Sequence, residues 1–322
     1  MADPRACIAP RVPTSTQRAP GQFEQGGPTV VAVVVHYTDA ASTLRCIASL
    51  RAQRPAPRIV VVDNASPDGS GTVLANSLRG STDVVPMCSA TNGGFGAGCN
   101  LGITEALSRW PDLAHVLLLN PDAELAEGSL ENLIATAARH PRAGIVGCRV
   151  DDRAGRPWFE SGRWRPWTLG RSHTAPPHDS VEHRCDLVTG ACMLIAADLL
   201  RRGLRFCEDY FLYCEDADLC REVIARGREV WVTRRARAIH TGGGSQPGEA
   251  VLGELSATRL YWLTRSKALL ARRRLSPLQR AVFLLHAATT KPLAGVLFAR
   301  SVRFLGPYLR GLRDGLFAPL GA

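Results

Sequence analysis

Four short segments of the chain place polar side chains where they could bind or activate a ligand. The segments are VVVDNASPDG at 60–69, TNGGFGAGCN at 91–100, LLLNPDAE at 117–124 and FLYCEDADLC at 211–220. Their residue types suit, in that order, hydrogen bonding to a nucleoside, contact with a phosphate, binding of a hard cation and removal of a proton.

The first segment ends an apolar run with an aspartate. Asp63 and Asn64 could accept hydrogen bonds from a base or a ribose at the end of a buried strand. The alternative is structural, because Asp63 and Ser66 could instead cap the next helix. The segment alone leaves both interpretations open.

The second segment is rich in glycine. Asn92 precedes Gly94, Gly96 and Gly98, which allow close backbone approach just before a predicted helix. The spacing is G-x-G-x-G, and no Gly-Lys-Ser/Thr follows. The segment is therefore neither a dinucleotide fingerprint nor a Walker loop.

In the third segment a buried strand runs directly into Asn120, Pro121 and Asp122. A carboxylate at a strand end can hold a diphosphate through a hard cation. Asn-Pro-Asp is also a common turn, so this segment too is ambiguous alone.

The fourth segment holds three acids within four positions, after aromatic and apolar residues. Asp218 reads as a first-turn helix acid, whereas Asp216, beside the apolar run, is the better candidate for a general base. His240 follows later in the chain, directly before the glycine-rich stretch 241–245.

The elements around these segments alternate between strand and helix. The strands are predicted at 30–35, 58–63, 83–88, 115–119, 186–195 and 229–232, and the helices at 39–53, 71–78, 98–110, 128–140, 197–202 and 216–226. Residues 151–184, rich in arginine, proline and tryptophan, are predicted to be irregular. This alternation predicts an α/β fold with a mainly parallel sheet, in which ligands bind at the carboxyl ends of the strands.

Composition excludes several classes of protein. The 322 residues are 45% apolar, which excludes a wholly disordered chain, and the glycines and prolines have no collagen-like period. The net charge is +10. The charge is local, because residues 259–322 hold twelve basic residues and one acid while the rest carries −1. Ten cysteines without a C-x-x-C pair predict buried, reduced thiols in a cytoplasmic protein. Residues 1–28 lack the apolar stretch of a secretory signal and are predicted to be a disordered arm.

In this order and spacing, the four segments resemble family 2 glycosyltransferases of the GT-A fold. The nearest likeness is to the rhamnosyltransferase-like branch of bacterial cell-envelope synthesis. The resemblance covers about residues 30–245 and implies a Rossmann-like GT-A domain over 29–245, followed by basic amphipathic helices over 246–322.

The resemblance implies a role for each candidate residue. The nucleotide-sugar site would comprise His36, Asp63, Asn64, Asn92, Gly94, Asn120 and Asp122. Asp122 would stand at the metal-binding Asp-x-Asp position, where Asn120 replaces the first aspartate, and His240 would be a further ligand of Mg²⁺ or Mn²⁺. Asp216 would be the catalytic base. His36-Tyr37-Thr38 stands where such proteins often have Asn-Tyr-Asn, a departure that bears on nucleotide preference.

The implied reaction is inverting, metal-assisted transfer of a sugar, rhamnose in this branch, from a dTDP- or UDP-linked donor to a glycan or lipid-linked acceptor. Two alternatives belong to other classes. A dinucleotide-binding or other nucleotide-sugar enzyme is disfavoured by the glycine spacing. A nucleic-acid-binding module is disfavoured by the neutral body and by aromatic residues that are not interleaved with arginine.

The basic tail predicts amphipathic helices. Phe298, Val302, Leu305, Leu309 and Leu312 would lie on one face, with a break at Gly306-Pro307. These helices would either pack on the catalytic domain or bind the anionic inner surface of the cell membrane. Residues on the acceptor side would be Glu215, Tyr261, Trp262 and Arg265.

Overall fold

A computed structural model describes residues 30–167, 169–173, 180–240, 256–299 and 302–320. The predicted arm 1–28, the glycine-rich stretch 241–245 and the predicted domain boundary at 245/246 lie outside these ranges. The described chain alternates strands and helices through residue 240 and is helical from residue 257 onward.

Twelve strands and ten helices are present in the described ranges. The strands are β1 Val30–His36, β2 Arg58–Asp63, β3 Val84–Cys88, β4 His115–Leu119, β5 Ala123–Leu125, β6 Ala143–Asp151, β7 Pro157–Phe159, β8 Gly162–Arg165, β9 Gly170–His173, β10 Glu182–Cys185, β11 Cys192–Ala196 and β12 Glu229–His240. The helices are α1 Ala40–Arg51, α2 Ser70–Ser77, α3 Phe95–Arg109, α4 Ser129–Arg139, α5 Ala197–Arg201, α6 Glu215–Ala225, α7 Ala257–Arg274, α8 Pro277–Ala288, α9 Thr290–Ala299 and α10 Leu305–Phe317.

One central sheet carries the fold. Its strand order is β10-β12-β6-β11-β4-β1-β2-β3, with β5 added beside β12 and β7 beside β6. Four of the seven pairings along this path are parallel, and three of them form the continuous block β4-β1-β2-β3. The parallel α/β sheet that the sequence predicts is therefore present, and an antiparallel region extends it beyond β4.

Both faces of the sheet are covered, which explains why its inner strands are apolar at every position. Side chains alternate along β1, so Val31 and Val33 join one buried cluster while Ala32 and Val34 join the other. Seven of the nine described cysteines are buried in these two clusters, and all nine are free thiols, as predicted.

The structure differs from the predicted elements at four points. β12 is predicted to end at 232 but runs to His240, because a register shift between Thr233 and Arg237 lets an arginine-rich stretch continue the strand. The prediction omits β6, and residues 151–184 contain short strands rather than only irregular chain. Helix α3 begins at Phe95, three residues before the predicted start.

The first two C-terminal helices pack on the catalytic region. Leu269 and Leu270 of α7 and Phe283 of α8 belong to the same buried cluster as the central sheet. Helix α10 lies against α7, where a Cβ at Gly315 would come within 2.2 Å of the Arg265 carbonyl oxygen. The small glycine allows this close approach of the two helices.

The predicted apolar stripe of the tail does not form one continuous helical face. The helix breaks before Leu305, so Gly306 and Pro307 fall in the first turn of α10. Val302 and Leu309 are exposed, whereas Leu312 packs against the core. Within the described residues, no helix is both long and apolar enough to cross a membrane.

Candidate active site

The carboxyl ends of the parallel strands bring the first candidates together. His36, Asp63 and Cys88 end β1, β2 and β3 at the same level, since His36 is in register with Asp63 and Asp63 with Cys88. Asn120 follows β4, the neighbour of β1 on the other side. The predicted location of the site at this edge agrees with the sheet topology.

Asp63 organises the turn that follows β2. Its Oδ1 accepts hydrogen bonds from the Ser66 backbone N–H, at 3.1 Å, and from the Ser66 hydroxyl, at 2.6 Å. A Cβ on Gly71 would lie 1.9 Å from Oδ2, so this glycine lets the loop close over the carboxylate. The Oδ1 atom of Asp63 therefore has a structural role, as the alternative interpretation predicts. Asp63 stabilises the turn, however, and does not cap α2, whose N-cap is Gly69.

His36 is enclosed between loops. Its Nδ1 lies 2.8 Å from the Thr43 hydroxyl, and its Nε2 lies 3.0 Å from the Ser70 hydroxyl. Burial lowers the pKa of the imidazole, and nearby carboxylates, Asp63 first, offset part of that effect. With the ring fully buried and both nitrogens engaged, His36 supports the loops around the site and offers no side-chain surface to solvent.

Asn64, Asn92 and Gly94 form one hydrogen-bonded unit. The Asn64 amide donates to the Asn92 Oδ1 and to the Gly94 carbonyl oxygen, both at 3.0 Å, and the Gly94 N–H donates to the Asn92 Oδ1 at 2.9 Å. At Gly94 φ is +88°, and a Cβ would lie 2.1 Å from the Phe211 carbonyl oxygen. The close approach that this glycine permits is therefore to the backbone of the fourth segment.

Asp122 and His240 meet although 117 residues separate them in the chain. β12 pairs with β5 so that His240 is opposite Ala123, and its Nε2 lies 3.2 Å from Asp122 Oδ1 and 3.4 Å from Asn120 Nδ2. The indole of Trp158 stacks on the His240 ring, with centroids 5.0 Å apart and planes within 5°.

This pair fits a divalent cation. Two ligand atoms held at about 2.1 Å and at right angles in an octahedral shell are about 3 Å apart, close to the observed separation. A carboxylate oxygen and a neutral imidazole nitrogen suit Mn²⁺ or Mg²⁺. No cluster of three or more His, Cys, Asp or Glu side chains occurs in the described ranges.

Asp216 lies at the start of α6, where the positive end of the helix favours a carboxylate. It is 7% exposed, and its Oδ2 accepts from the Gly190 N–H at 3.3 Å. Tyr213 and Cys214, just before it, both have φ of +69°, a left-handed conformation that costs energy for residues other than glycine. The loop thus stores strain next to the candidate base.

Asp218 has a structural role. Arg274 of α7 pairs with both of its carboxylate oxygens, the second at 3.1 Å, and also with Glu222 at 2.9 Å. Burial lowers the pKa of the Arg274 guanidinium, but its bonds to the two carboxylates outweigh that effect and raise the pKa overall. These contacts agree with the prediction that Asp218 is an ordinary helix acid, and the role of Asp216 as general base stays a prediction.

The residues predicted on the acceptor side are divided between two places. Trp262 packs on Phe211 with ring centroids 4.5 Å apart, and Arg265 donates to the Asp209 carbonyl oxygen at 2.9 Å. Both therefore touch the loop that leads to Asp216, and Glu215 is buried beside that residue. Tyr261 instead donates to Asp314 of α10.

A family model described as glycosyl transferase family 2 matches residues 31–204, more than half of the chain. The chain belongs to glycosyl transferase family 2. The predicted family and enzyme class are thereby confirmed.

Curated relatives of this family 2 glycosyltransferase include rhamnosyltransferases. It is 27% identical over 214 residues to the N-acetylglucosaminyl-diphospho-decaprenol L-rhamnosyltransferase of Mycobacterium tuberculosis, covering 58% of this chain and 67% of that protein. It is 27% identical over 159 residues to the rhamnosyltransferase WbbL of Escherichia coli K12, covering 46% of this chain and 60% of that protein.

Solved GT-A glycosyltransferases share the fold. GalNAc-T7 with UDP, GalNAc and Mn²⁺ superimposes with a TM-score of 0.63 at 13% identity, over 92% of this chain and 57% of that chain. S. aureus TarS residues 1–349 with UDP-GlcNAc gives 0.54 at 17% identity, over 89% of this chain and 80% of that chain. These likenesses confirm the predicted fold class.

Sequence reasoning missed three residues that shape the site of this glycosyltransferase. Trp158, in the stretch predicted to be irregular, orients His240. Gly190 holds Asp216, and the carbonyl of the next residue, Ala191, accepts from the Asn120 N–H at 3.0 Å. A glycine before a strand carries little sequence signal, but a tryptophan following a Gly-Arg-Pro turn could have suggested an aromatic wall.

Proposed function

We propose that the chain is an inverting, metal-assisted glycosyltransferase that moves a sugar, rhamnose in the first instance, from a dTDP- or UDP-linked donor to a hydroxyl of a glycan or lipid-linked acceptor. One observation supports this most strongly. Gly190 and Ala191, consecutive residues before β11, hold the candidate base Asp216 and the diphosphate-side residue Asn120 respectively. A base and a diphosphate-side residue that are anchored on consecutive backbone positions suit direct displacement at a sugar carbon.

In this proposal the donor lies along the strand ends. The nucleobase of the donor contacts the region of Asp63, and the rest of the nucleoside passes Asn64 and Asn92. The diphosphate lies beside Asn120 and Asp122. Asp122 and His240 would hold the divalent cation, which supplies charge neutralisation for the departing diphosphate when bound.

The acceptor oxygen attacks the anomeric carbon from the face opposite the diphosphate, and the bond between that carbon and the diphosphate oxygen breaks. Asp216 takes the proton of the acceptor hydroxyl as this happens, which inverts the configuration in one step. The Gly190 N–H and the start of α6 hold and aim the Asp216 carboxylate.

A rhamnosyl donor and a lipid-linked acceptor are proposed from the relatives, since the mycobacterial protein is named for both. A lipid-linked acceptor is reached at a bilayer surface, so we also propose a cytoplasmic, membrane-peripheral location. The alternatives of a dinucleotide enzyme and of a nucleic-acid module receive no support from the family match.

The deciding experiment replaces Asp216 with asparagine. Turnover should fall by about 10²–10⁴-fold, the usual contribution of a general base, while nucleotide binding persists. The control is Asp112→Asn, an exposed acid outside the site, which should leave turnover unchanged. Near-normal transfer by the Asp216→Asn protein would refute the assignment of the base.

Nucleotide binding has a readout that does not depend on activity. Cys88 is exposed, and its Sγ lies 4.0 Å from Asp63 Oδ2. A bound nucleoside should therefore slow alkylation of Cys88 in a Cys7→Ser protein. Cys207 should react slowly throughout, because burial raises the pKa of its thiol to about 11. Comparing dTDP and UDP, with and without Mn²⁺, identifies the preferred nucleotide. Unchanged Cys88 reactivity with every nucleotide would contradict the proposed donor site.

A further inference from the structure

Exposed apolar side chains are concentrated in the C-terminal helices. Among the described residues, thirteen large hydrophobic side chains are exposed, and nine of them lie between residues 278 and 320. Those nine are Leu278, Val282, Leu285, Leu293, Leu297, Val302, Leu309, Phe317 and Leu320. Scattered single residues of this kind are normal on a soluble surface, but a concentration marks an interaction site.

Helix α8 has two contrasting faces. Phe283 and Ala287 face the core, and the Ala287 carbonyl oxygen accepts from the Tyr308 hydroxyl at 2.7 Å. On the opposite side Leu278, Val282 and Leu285 are 66%, 38% and 66% exposed, at helical spacings of four and three. The exposed residues of α8 include no charged or polar side chain, the reverse of an ordinary surface helix.

Helix α9 repeats this pattern. Leu293 and Leu297, four residues apart, are 62% and 65% exposed on one face, while Gly295 is buried and Val296 packs inward against the α10 cluster. We name the two outward faces together, Leu278, Val282, Leu285, Leu293 and Leu297, the apolar platform.

The segment that carries the apolar platform is strongly basic. Between residues 277 and 320 the sequence contains a single acid, Asp314, against five arginines and one lysine. On α10 the exposed side chains Arg310 and Arg313 lie between the exposed Leu309 and Phe317 in the sequence, and Arg313 also pairs with Asp314 at 2.7 Å. Apolar area beside basic residues complements a bilayer rich in anionic lipid.

We propose that the apolar platform inserts into the headgroup–acyl boundary of an anionic membrane and that Arg310 and Arg313 bind lipid phosphates. The platform is not the stripe that the sequence predicts, since Leu312 of that stripe packs on the core and the platform lies on α8 and α9. A second copy of the chain is a poorer occupant, because it would bring together two segments that each carry +11. The proposal deepens the location proposed above and rests on the proposed function only for its biological purpose.

The test uses the full chain and sedimentation with vesicles of phosphatidylglycerol and phosphatidylcholine. The triple variant Leu278→Gln, Val282→Gln, Leu285→Gln should partition into the vesicles at least about tenfold less, since it loses three aliphatic side chains that would be partly buried in the membrane. The matched control is Val73→Gln, which removes a side chain 55% exposed on α2 and should bind as the wild type does. Arg310→Gln with Arg313→Gln should weaken binding by about fivefold per arginine at low salt and flatten its salt dependence.

Pure phosphatidylcholine vesicles should bind the wild type weakly. The proposal is overturned if the wild type does not bind anionic vesicles, or if the triple variant binds them as the wild type does. It is also overturned if the wild type is a dimer by light scattering, does not bind vesicles, and becomes a monomer only in the triple variant. Cys88 protection by nucleotide should be equal in wild type and triple variant. If nucleotide protects Cys88 in neither protein while the wild type still binds vesicles, the proposed donor site is contradicted and the proposed membrane-binding role of the apolar platform is not.

Discussion

His240 is held from three sides, by Asp122, Asn120 and Trp158. Asp122 and Asn120 lie 3.2 and 3.4 Å from its Nε2, and the indole of Trp158 lies parallel to its ring. Flat stacking restricts rotation of the imidazole, so it keeps Nε2 directed at Asp122. At the scale of single residues, the orientation of His240 therefore depends on a neighbouring aromatic ring.

Trp158→Leu should weaken the apparent affinity for Mn²⁺ by about 10–100-fold, the usual cost of losing an orienting partner. Turnover at saturating Mn²⁺ should fall less, and Trp158→Phe should recover most of the affinity because it keeps an aromatic face. The measurement is Mn²⁺ dependence of donor-induced thermal stabilisation and of transfer.

The control for that prediction is Trp231→Leu. Trp231 stacks on His140 with centroids 3.5 Å apart, elsewhere on β12. The Trp231→Leu substitution should lower the stability of the protein without changing its apparent affinity for Mn²⁺. Equal shifts in Mn²⁺ affinity for the two tryptophan variants would argue that both act only through folding.

Gly94→Ala should cost stability and turnover together. Its φ of +88° and ψ of 177° belong to a region that essentially only glycine occupies, and the new Cβ would meet the Phe211 carbonyl oxygen. We expect the free energy of unfolding to fall by about 3 kcal/mol or more, by denaturant titration.

Gly128→Ala is its matched control. Gly128 also has positive φ, at 71°, but no atom lies within 4 Å of the point that a Cβ would occupy, so the cost should be about 1–2 kcal/mol with turnover retained. A Gly94→Ala protein no less stable than this control would contradict the packing of the glycine segment on the fourth segment.

At the scale of elements, two pairings assemble the site. β12 extends past its register shift to reach β5 and delivers His240 to Asp122. Helix α7 is fastened to α6 by Arg274, which bridges Asp218 and Glu222, and by the Ser266 hydroxyl, which donates to the Leu212 carbonyl oxygen at 2.7 Å. The loop 209–214 is thereby held between the glycine segment and α7.

Arg274→Gln should destabilise the protein by about 3–5 kcal/mol, because it leaves the carboxylate of Asp218, 3% exposed, without its principal countercharge. Thermal or denaturant unfolding measures the effect. Arg109→Gln, which removes an exposed pair with Glu105 one helical turn away, should cost about 0.5 kcal/mol or less. Similar losses for both would show that the α6–α7 connection contributes little.

At the scale of the whole molecule, the C-terminal helices belong to the same packed body as the sheet. Leu269 and Phe283 lie in the sheet's own buried cluster, and Tyr308 of α10 bonds to α8. The division of the chain into 29–245 and 246–322 remains a prediction, and we propose that residues 256–320 fold with the catalytic region.

Deleting residues 276–322 should therefore lower the melting temperature and the soluble yield, because it uncovers Leu269, Leu270 and the α7 face that α10 covers. The triple variant of the apolar platform should unfold near the wild-type temperature, since its three side chains already face outward. A truncated chain as stable as the full one would show that the tail is a separate unit.

Much of the site was predictable because its residues close or open elements with strong local patterns. Asp63 and Asn120 follow runs of apolar residues that could only be buried strands, and the carboxyl ends of parallel strands must share an edge. Asp216 and Asp218 differ in their neighbours along the chain, which is enough to tell them apart. The order of these segments also indicated the family, which the family match confirms.

Other features depend on contacts between distant parts of the chain, and no local pattern encodes them. The prediction ends β12 at 232 because the arginines at 234, 235 and 237 mask a strand that pairs on both sides. Trp158 contacts His240 only because β7 folds back to pair with β6.

The order of the chemical segments along the strands, the family and the positive charge of the tail could be predicted, because they follow from residue type and spacing along the chain. The side chains that orient His240 and Asp216, and the face of the tail that is exposed, become known only from the packed fold. Both depend on which apolar surfaces pack against one another. A helix such as α8 has apolar residues on two sides, and the sequence alone does not show which side its neighbours will cover.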